Sequence, residues 1–417
     1  MPGFDLDRRR ALGVLGAAAA TTALVGGTAR AQAPVQMISH RFPALEFYAE
    51  KMRGAVEGVE VNTQLMPFDK ANELATIGLS SKADTLDIVY ANDTTVHKYA
   101  KNGWLMPLDD LWAKFSDEFD LADFPERALA PYRYEGKLYC VPHNVNVMLF
   151  FYRRDLFEEA GKQPPATMAE YVELAKEFHT PMRAGTIKCL KPIDATMNEA
   201  HWYFNTIGDG WFDQDWRPVF NSENGVKAIE ALKEVTGYAQ RGYATAANDE
   251  CTLALQQDLA AMGLQWASRT AAMDDPTKSR VVDLIDWAAA PGGHTRTATD
   301  GYAISAFTRQ DPELLFRILA TSSSAANMRE GAAMLVPPRD SVLRDPELAK
   351  QFRQYPGILA ALETAVPTPP LPEFYEAGEF ITRRILQAVA GEMEVKAALD
   401  AAAAETTQLL ESRGYYR

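Results

Sequence analysis

The chain has 417 residues, of which 47% are hydrophobic and 24% are charged, and its formal net charge is −14 at pH 7. This is a globular composition, and the length exceeds what one hydrophobic core usually supports, so we expect two domains. The acidic balance and the lack of basic clusters argue against nucleic-acid binding.

The first residues predict an export signal over 1–31. Three arginines, Arg8 to Arg10, precede an uncharged Ala/Gly-rich stretch at 11–29, and the small-residue sequence A-R-A-Q-A follows. The adjacent arginines resemble a twin-arginine signal, and the general secretory route remains open. We expect cleavage after Ala31 and a soluble monomer in the periplasm.

The next segment alternates strands and helices. Apolar or period-two runs predict strands at 35–39, 58–66 and 85–91, and intervening patterns predict helices at 43–53 and 70–80. This βαβαβ order indicates a doubly wound α/β sheet, whose ligands gather beyond the carboxyl ends of the strands. His40 and Arg41 follow the first strand and Asp93 follows the third, so we expect all three at a ligand site.

A long apolar run follows at 139–152, with the sequence Y-C-V-P-H-N-V-N-V-M-L-F-F-Y. Its length predicts an unusually long strand, and the alternation of side chains puts Asn144 and Asn146 on the face opposite to His143. We expect the two asparagines to face a cleft, where water or ligand satisfies their amides. The alternative is a core strand whose polar groups bond to the neighbouring backbone.

The second half of the chain continues the alternation. A short helix ends at Gly161, T-M-A-E at 167–170 is a capping box, and Asn221 or Ser222 caps a further helix. The patterns predict two final helices at 374–390 and 392–413.

Three cysteines, Cys140, Cys189 and Cys251, allow one disulfide in an oxidising compartment. We favour Cys189 with Cys251, because Cys140 lies within the apolar run, but three separate buried thiols are equally compatible with the sequence. The cysteine spacings match no zinc motif, and we expect neither a metal nor a cofactor.

Several motifs in fixed order resemble the extracellular solute-binding proteins of ABC importers, in their carbohydrate-binding, maltose-binding-protein-like group. The motifs are D-I-V-Y-A-N-D, Y-E-G-K-L-Y-C-V-P, F-Y-R-R-D-L-F-E-E-A-G, L-Q-Q-D-L-A-A-M-G-L-Q-W, A-A-A-P-G-G with D-G-Y-A-I-S, and V-P-P-R. The resemblance covers essentially the whole chain after the export signal.

The resemblance implies a two-lobed periplasmic-binding-protein fold of type II, with discontinuous lobes joined by crossover strands around a central cleft. Lobe 1 would comprise 32–142 and 292–338, and lobe 2 would comprise 143–291 and 339–417. The lobes would close by hinge movement at 142–146, 290–293 and 337–339.

The resemblance also implies further ligand-binding residues. Trp266 stands where the family places a stacking aromatic, and Tyr302 and Arg339 lie beside the second and third crossovers. The other positions that border the cleft in relatives are Glu199, Trp202 and Tyr375, although ordinary helix packing is the alternative for Trp202. Ala91 replaces a tryptophan of maltose-binding protein, which favours a smaller ligand.

We therefore expect a protein that captures a small carbohydrate, either a mono- or disaccharide or a sugar alcohol, and delivers it to the permease of an ABC transporter. The same fold could bind a polyamine, a phosphate ester or a peptide instead. A secreted carbohydrate-active enzyme is the less favoured alternative. The sequence contains no G-x-S-x-G, H-E-x-x-H or P-loop motif, and its six histidines show no ligand spacing.

Overall fold

A computed structural model describes residues 33–416, so the predicted export signal lies outside the described residues. The strands are β1 Val35–His40, β2 Val61–Met66, β3 Ile88–Asn92, β4 Arg133–Tyr134, β5 Lys137–Leu138, β6 Val141–Arg153, β7 Met262–Trp266, β8 Ile285–Ala288, β9 Arg296–Ile304 and β10 Val366–Pro367. The first nine helices are α1 Pro43–Arg53, α2 Phe68–Ser80, α3 Val96–Lys101, α4 Asp109–Phe115, α5 Glu126–Leu129, α6 Arg154–Glu159, α7 Met168–Glu177, α8 Asp194–Thr206 and α9 Glu223–Thr236. The others are α10 Asn248–Gln256, α11 Thr270–Met273, α12 Pro312–Ser322, α13 Ala325–Glu330, α14 Asp340–Leu343, α15 Pro346–Gln351, α16 Tyr355–Thr364, α17 Phe374–Val389 and α18 Val395–Ser412.

The first three strands form the predicted parallel βαβαβ unit. β1 pairs with β2 on one side and with β3 on the other, both in parallel. Every residue of β3 is buried, as its unbroken apolar run predicts. Because the three strands run in the same direction, their polar ends, including His40 and Asn92, meet at one edge of the sheet.

The sheet then changes direction at β9, which lies between β3 and β6 and runs antiparallel to both. β6 is the predicted long strand and has 13 residues. Its first half pairs with β9, and its second half pairs with β7 and β8. A single strand therefore connects the N-terminal part of the sheet to the part built by the second half of the chain.

A third chain segment lies alongside the long strand β6. The backbone N–H of Val145 donates to the carbonyl of Val336 at 2.9 Å, so the segment that precedes Arg339 lies alongside β6. All three segments predicted as crossovers therefore have a described position in or beside this sheet.

The second half of the chain packs helices around an apolar core. Thr167 closes the predicted capping box with Glu170 at the start of α7, and Ser222 caps α9. α17 and α18 end within five residues of their predicted limits, because their apolar faces repeat at the helical period. Trp202 of α8 is fully buried in this core.

The structure joins Cys189 and Cys251 by a disulfide with 6.1 Å between the Cα atoms, and Cys140 is a buried free thiol. Burial raises the pKa of the Cys140 thiol well above its ordinary value. Within residues 33–416, no helix combines the length and the apolar character needed to cross a bilayer.

Candidate functional site

A cavity of about 340 Å³ opens beyond the carboxyl ends of β1 and β3. β9 and the middle of β6 form its floor, and segments after α7 and around α10 form its far wall. Its lining combines aromatic rings with charged groups: His40, Phe42, Phe68, Tyr90, Trp266, Arg41, Asp69, Lys191, Asp194, Asp249, Glu250, Arg269, Arg296 and Asp300. Of the eleven predicted ligand-binding residues, the cavity lining includes His40, Arg41, Asn146 and Trp266.

One wall of the cavity is aromatic. The His40 ring lies 5.0 Å from the ring of Phe42, 5.3 Å from that of Phe68 and 5.9 Å from that of Tyr90, measured between centroids. Burial, with the nearby charges of Arg269 and Arg41, lowers the pKa of His40 to about 3. His40 is therefore a neutral imidazole at pH 7, able both to donate and to accept a hydrogen bond.

Trp266 ends β7 on the opposite side of the cavity. Its side chain is buried, and the guanidinium of Arg296 lies 5.7 Å from the centre of its ring. Cations stack on indole faces through the ring quadrupole, so Arg296 holds the orientation of Trp266. The predicted position of a stacking aromatic is thus occupied by a ring fixed at the cavity wall.

Asn146 on the floor is tied to the far wall. Its Nδ2 donates to Ser268 Oγ at 2.9 Å, and its Oδ1 accepts from the backbone N–H of Ser268 at 3.2 Å. The prediction that water or ligand satisfies this amide needs correction, because Ser268 already does so. Asn146 still lines the cavity.

Asn144 lies beneath the floor and not in the lining. Its Nδ2 donates to Asp300 Oδ2 at 2.8 Å, and its Oδ1 accepts from the backbone N–H of Val336 at 2.7 Å. The side chain therefore connects all three crossover segments, and protein groups satisfy its amide. Asn144 thus holds a supporting position behind Asp300, and its contact with a ligand stays a prediction.

A buried charge cluster lies between the floor and the near wall. Arg296 Nη2 donates to both carboxylate oxygens of Asp93 at 3.1 and 3.2 Å, and Nη1 lies 3.5 Å from Asp194 Oδ1. Burial opposes the charge of Arg296, but the carboxylates of Asp93 and Asp194 outweigh it and raise its pKa. Burial raises the pKa of Asp194 despite the nearby charge of Arg296. Asp93 is thus paired to Arg296 outside the lining of this cavity, and its contact with a ligand stays a prediction.

Asp300 is one of the cavity residues that were not predicted from the sequence. It stands on β9 between Asn92 of β3 and Asn144 of β6, which are its register partners on either side. The hydroxyl of Tyr90 donates to Asp300 Oδ1 at 2.7 Å. Burial raises the pKa of Asp300 to about 6, against the hydrogen bonds from Asn144 and Tyr90. The sequence signal for Asp300 is D-G-Y at 300–302, beside the second predicted crossover, where Tyr302 was predicted to contact a ligand and Asp300 was not.

Two predicted residues belong instead to the helical core. Glu199 pairs with Lys188 at 2.8 Å, and the two side chains are 1% and 0% exposed. Trp202 donates from Nε1 to the carbonyl of Pro291 at 3.0 Å. Both residues face inward from α8, because this helix is buried on nearly all sides, and neither lines this cavity, so their ligand contacts stay predictions.

Three more predicted residues stand outside the cavity lining. The guanidinium of Arg339 donates to backbone carbonyls of Ser323, Asp120 and Phe119 and lies 4.2 Å from the ring centre of Phe124. The hydroxyl of Tyr302 lies 2.9 Å from Ser39 Oγ, beneath the sheet end. Tyr375 approaches the rim, where its ring lies 6.1 Å from that of Phe68. Arg339 and Tyr302 thus pack outside the cavity lining and Tyr375 lies beside the cavity, and the ligand contacts of all three stay predictions.

Contacts also span the cavity mouth. Lys191 Nζ lies 3.2 Å from Asp69 Oδ2, and the Arg269 guanidinium lies 5.9 Å from the centre of the Phe42 ring. Arg269 also pairs with Asp249 at 2.8 Å. Among residues 33–416, no group of three or more His, Cys, Asp or Glu side chains is placed to hold a metal ion.

A two-part sheet joined by crossover strands, with a cavity over the junction, is the architecture of the type II periplasmic-binding proteins. Residues 43–326 match the family of bacterial extracellular solute-binding proteins, which is more than half of the chain. The chain belongs to this family, which confirms the resemblance inferred from the sequence motifs.

Known relatives span most of the chain. A probable amino-acid ABC transporter periplasmic-binding protein of Sinorhizobium fredii is 26% identical over 86% of this chain and 85% of its own. The mannitol-binding protein of Pseudomonas aeruginosa is 24% identical over 82% of this chain and 84% of its own.

A solved structure confirms the fold. The ABC transporter solute-binding protein of Agrobacterium radiobacter K84 in complex with ribitol superposes with a TM-score of 0.82 at 24% identity. The superposition covers 90% of this chain and 98% of that chain. The predicted two-lobed α/β fold is therefore correct.

Proposed function

We propose that this protein captures a small neutral carbohydrate, either a mono- or disaccharide or a sugar alcohol, and hands it to the permease of an ABC transporter. The carrying observation is the cavity, in which the rings of Phe42, Phe68, Tyr90 and Trp266 accompany hydrogen-bonding side chains. Carbohydrates present C–H groups on their faces and hydroxyls on their edges, and this lining matches both.

The volume favours a compact ligand. At about 30 Å³ per water molecule, 340 Å³ corresponds to roughly a dozen non-hydrogen atoms, which is the size of a hexose or a hexitol. The mannitol-binding relative and the ribitol-bound neighbour carry ligands of this size in their names. Disaccharides remain within the proposal as well, because a more open cleft would have a larger cavity.

Hinge closure is the proposed mechanism. We assign 32–142 and 292–338 to lobe 1, and 143–291 and 339–417 to lobe 2, with hinges at 142–146, 290–293 and 337–339. The ion pair of Lys191 with Asp69 and the contact of Arg269 with Phe42 then join opposite lobes, as in a closed form. A ligand that adds contacts in this form shifts the equilibrium towards it.

The remaining assignments follow from this role. The protein would act in the periplasm after export, as a monomer that releases its ligand unchanged. Its partners would be the permease subunits in the inner membrane, and it would not bind nucleic acid. Catalysis is not part of the proposal, because nothing in the cavity pairs an activated nucleophile with a base.

A thermal-shift screen tests this function. Pentitols, hexitols, monosaccharides and disaccharides are compared with amino acids, polyamines and phosphate esters, and bound compounds are recovered and analysed for chemical change. We expect a shift with at least one neutral carbohydrate and recovery of that compound intact. A shift only with amino acids, polyamines or phosphate esters, or conversion of a bound sugar, would contradict the proposal.

A further inference from the structure

Asp300 occupies the centre of the cavity floor. Its strand, β9, is the central antiparallel strand, and Asp300 is 6% exposed while it lines the cavity. It therefore presents a carboxylate to any ligand that reaches the floor, from a rigid element with neighbours on both sides.

The hydrogen bonds of Asp300 leave part of its accepting capacity unused. Tyr90 donates to Oδ1 and Asn144 donates to Oδ2, which is one donor for each oxygen. A carboxylate accepts about four hydrogen bonds, so one further position on each oxygen remains. Both donors are neutral, and within the described residues no Lys or Arg forms an ion pair with Asp300.

The neighbouring cation, Arg296, attracts this charge but makes no hydrogen bond to Asp300 among the described contacts. The guanidinium of Arg296 donates to other groups. Its Nε donates to Thr368 Oγ1 at 2.8 Å, Nη1 donates to Asn198 and Asp194, and Nη2 donates to Asp93. Arg296 is thus neutralised by two carboxylates of its own. A buried carboxylate without a cation is unfavourable until further donors reach it.

The surroundings set the protonation of Asp300. The titratable and charged groups that face it are Tyr90, Tyr132, Tyr302, Asp93 and Arg296. Burial is the largest influence and raises its pKa to about 6. At pH 7.5 the group is a carboxylate, and at pH 5.0 most of it is the protonated acid.

We propose that Asp300 determines the specificity of the cleft: it accepts hydrogen bonds from two hydroxyls of a neutral polyol or sugar, and its unbalanced charge discriminates against the corresponding acids. This inference rests on the proposed carbohydrate-binding function. A ligand that lacks a hydroxyl at this point leaves the two free acceptor positions of a desolvated carboxylate without a donor, which penalises it strongly. An anionic ligand meets like charge on the floor. The cations of the lining are paired with carboxylates, as Lys191, Arg269 and Arg296 are, or stand exposed at the edge like Arg41, where solvent screens them.

Titration calorimetry tests the inference with ribitol, D-mannitol and D-glucose, each beside its carboxylate counterpart: ribonate, mannonate and glucuronate. Wild type is compared with Asp300→Asn at pH 7.5 and 5.0. Asp87→Asn is the matched control, because Asp87 is also buried and accepts only from neutral donors, Gln36 N–H and Thr308 Oγ1, but lies outside the cavity lining.

For a neutral compound that wild type binds, we expect about tenfold weaker affinity at pH 5.0 than at pH 7.5, because protonation turns one carboxylate oxygen into a hydroxyl donor and removes the charge that strengthens the hydrogen bonds from the ligand. Asp300→Asn should bind it at least tenfold more weakly at pH 7.5, without this pH dependence, while Asp87→Asn follows wild type. The carboxylate counterpart should bind to wild type at least tenfold more weakly than the neutral compound.

The inference is overturned if wild-type affinity is the same at both pH values, if the acid binds as tightly as its neutral counterpart, or if Asp300→Asn matches wild type. The first two measurements use wild type alone and decide the matter even if the variant does not fold. If wild type binds no neutral carbohydrate of the thermal-shift panel at either pH, the proposed function itself fails.

Discussion

Two buried charge clusters in this protein differ in their balance. In the helical core, one cation, Lys188, meets one anion, Glu199, and Lys188 Nζ lies 5.1–5.2 Å from the ring centres of Tyr171, Trp202 and Tyr203. At the cleft, one cation, Arg296, meets two carboxylates, and Asp300 stands nearby without a cation. The core pair is sealed, whereas the cleft keeps unbalanced negative charge facing the cavity.

This difference separates charges that hold the fold from charges available to a ligand. Burial alone would lower the pKa of Lys188, but Glu199 and the tyrosines raise it well above its ordinary value, so the pair remains charged. The Lys188–Glu199 pair therefore has no unbalanced charge that could bind a ligand. The cleft cluster has acceptors in excess, which a hydroxylated ligand can satisfy with its own donors.

The largest expected effect is on the sealed pair. Glu199→Gln leaves Lys188 charged and buried without an anion, so we expect a loss of about 3–5 kcal/mol in the free energy of unfolding, measured in urea. The matched control is Glu177→Gln, which breaks the solvent-exposed pair with Lys162 and should cost less than about 1 kcal/mol. Equal losses in the two variants would show that the buried pair is not special.

The next effect is the pH dependence of stability that Asp300 causes. Its folded-state pKa of about 6 lies above its ordinary value of 3.8, so its contribution is fully present below about pH 4 and is lost as the pH rises through 6. Relative to Asp300→Asn, wild type should lose roughly 2.5 kcal/mol of unfolding free energy between pH 4 and pH 7. Parallel stability profiles for the two proteins would contradict this assignment.

A smaller loss is expected at the cleft pair itself. Asp93→Asn removes one of the two carboxylates at Arg296, and Asp194 remains to balance the guanidinium. We expect a loss of about 1–3 kcal/mol in the free energy of unfolding, less than for Glu199→Gln. A loss as large as that of Glu199→Gln would show that Asp194 does not compensate, and that the two clusters do not differ as described.

The sequence predicted local structure better than it predicted partners. β1, α1, α17 and α18 follow from periodicity and capping, which are properties of neighbouring residues. His40 and Arg41 were predicted because they follow a strand, and Trp266 was predicted from its family position; all three line the cavity, and their contact with a ligand stays a prediction. The pairing of Arg296 with Asp93 joins residues far apart in sequence, and no local pattern reveals it.

The same limit explains the residues predicted for the cleft that lie elsewhere. Trp202, Glu199 and Arg339 have side chains suited to binding a sugar, and family position placed them near the crossovers. The orientation of Trp202 and Glu199 depends on which face of α8 is buried. Because α8 is buried on nearly all faces, its hydrophobic pattern does not show which side chains face the cleft. These residues were therefore chosen for their side-chain chemistry, although the sequence did not show whether they face the cleft or the protein interior.

The smallest effect concerns the support of Asp300. Tyr90→Phe keeps the aromatic ring in the cavity wall but removes the hydroxyl that donates to Asp300 Oδ1. That hydrogen bond favours the carboxylate, so its loss should raise the pKa of Asp300 further and shift the pH midpoint of carbohydrate affinity upward. At pH 5.0 the affinity should fall about fivefold, which corresponds to roughly 1 kcal/mol, whereas at pH 7.5, where Asp300 stays mostly ionised, it should change by less than about 1.5-fold.

The control for this last change is Tyr99→Phe, which removes a buried hydroxyl whose oxygen lies 3.3 Å from Thr76 Oγ1, outside the cavity lining. Calorimetric titrations of both variants from pH 5.0 to 8.0 would separate the two positions. If Tyr90→Phe leaves the midpoint where wild type has it, the phenol does not tune Asp300. The pKa of Asp300 would then be set by burial, by the hydrogen bond from Asn144 and by the charges of Asp93 and Arg296.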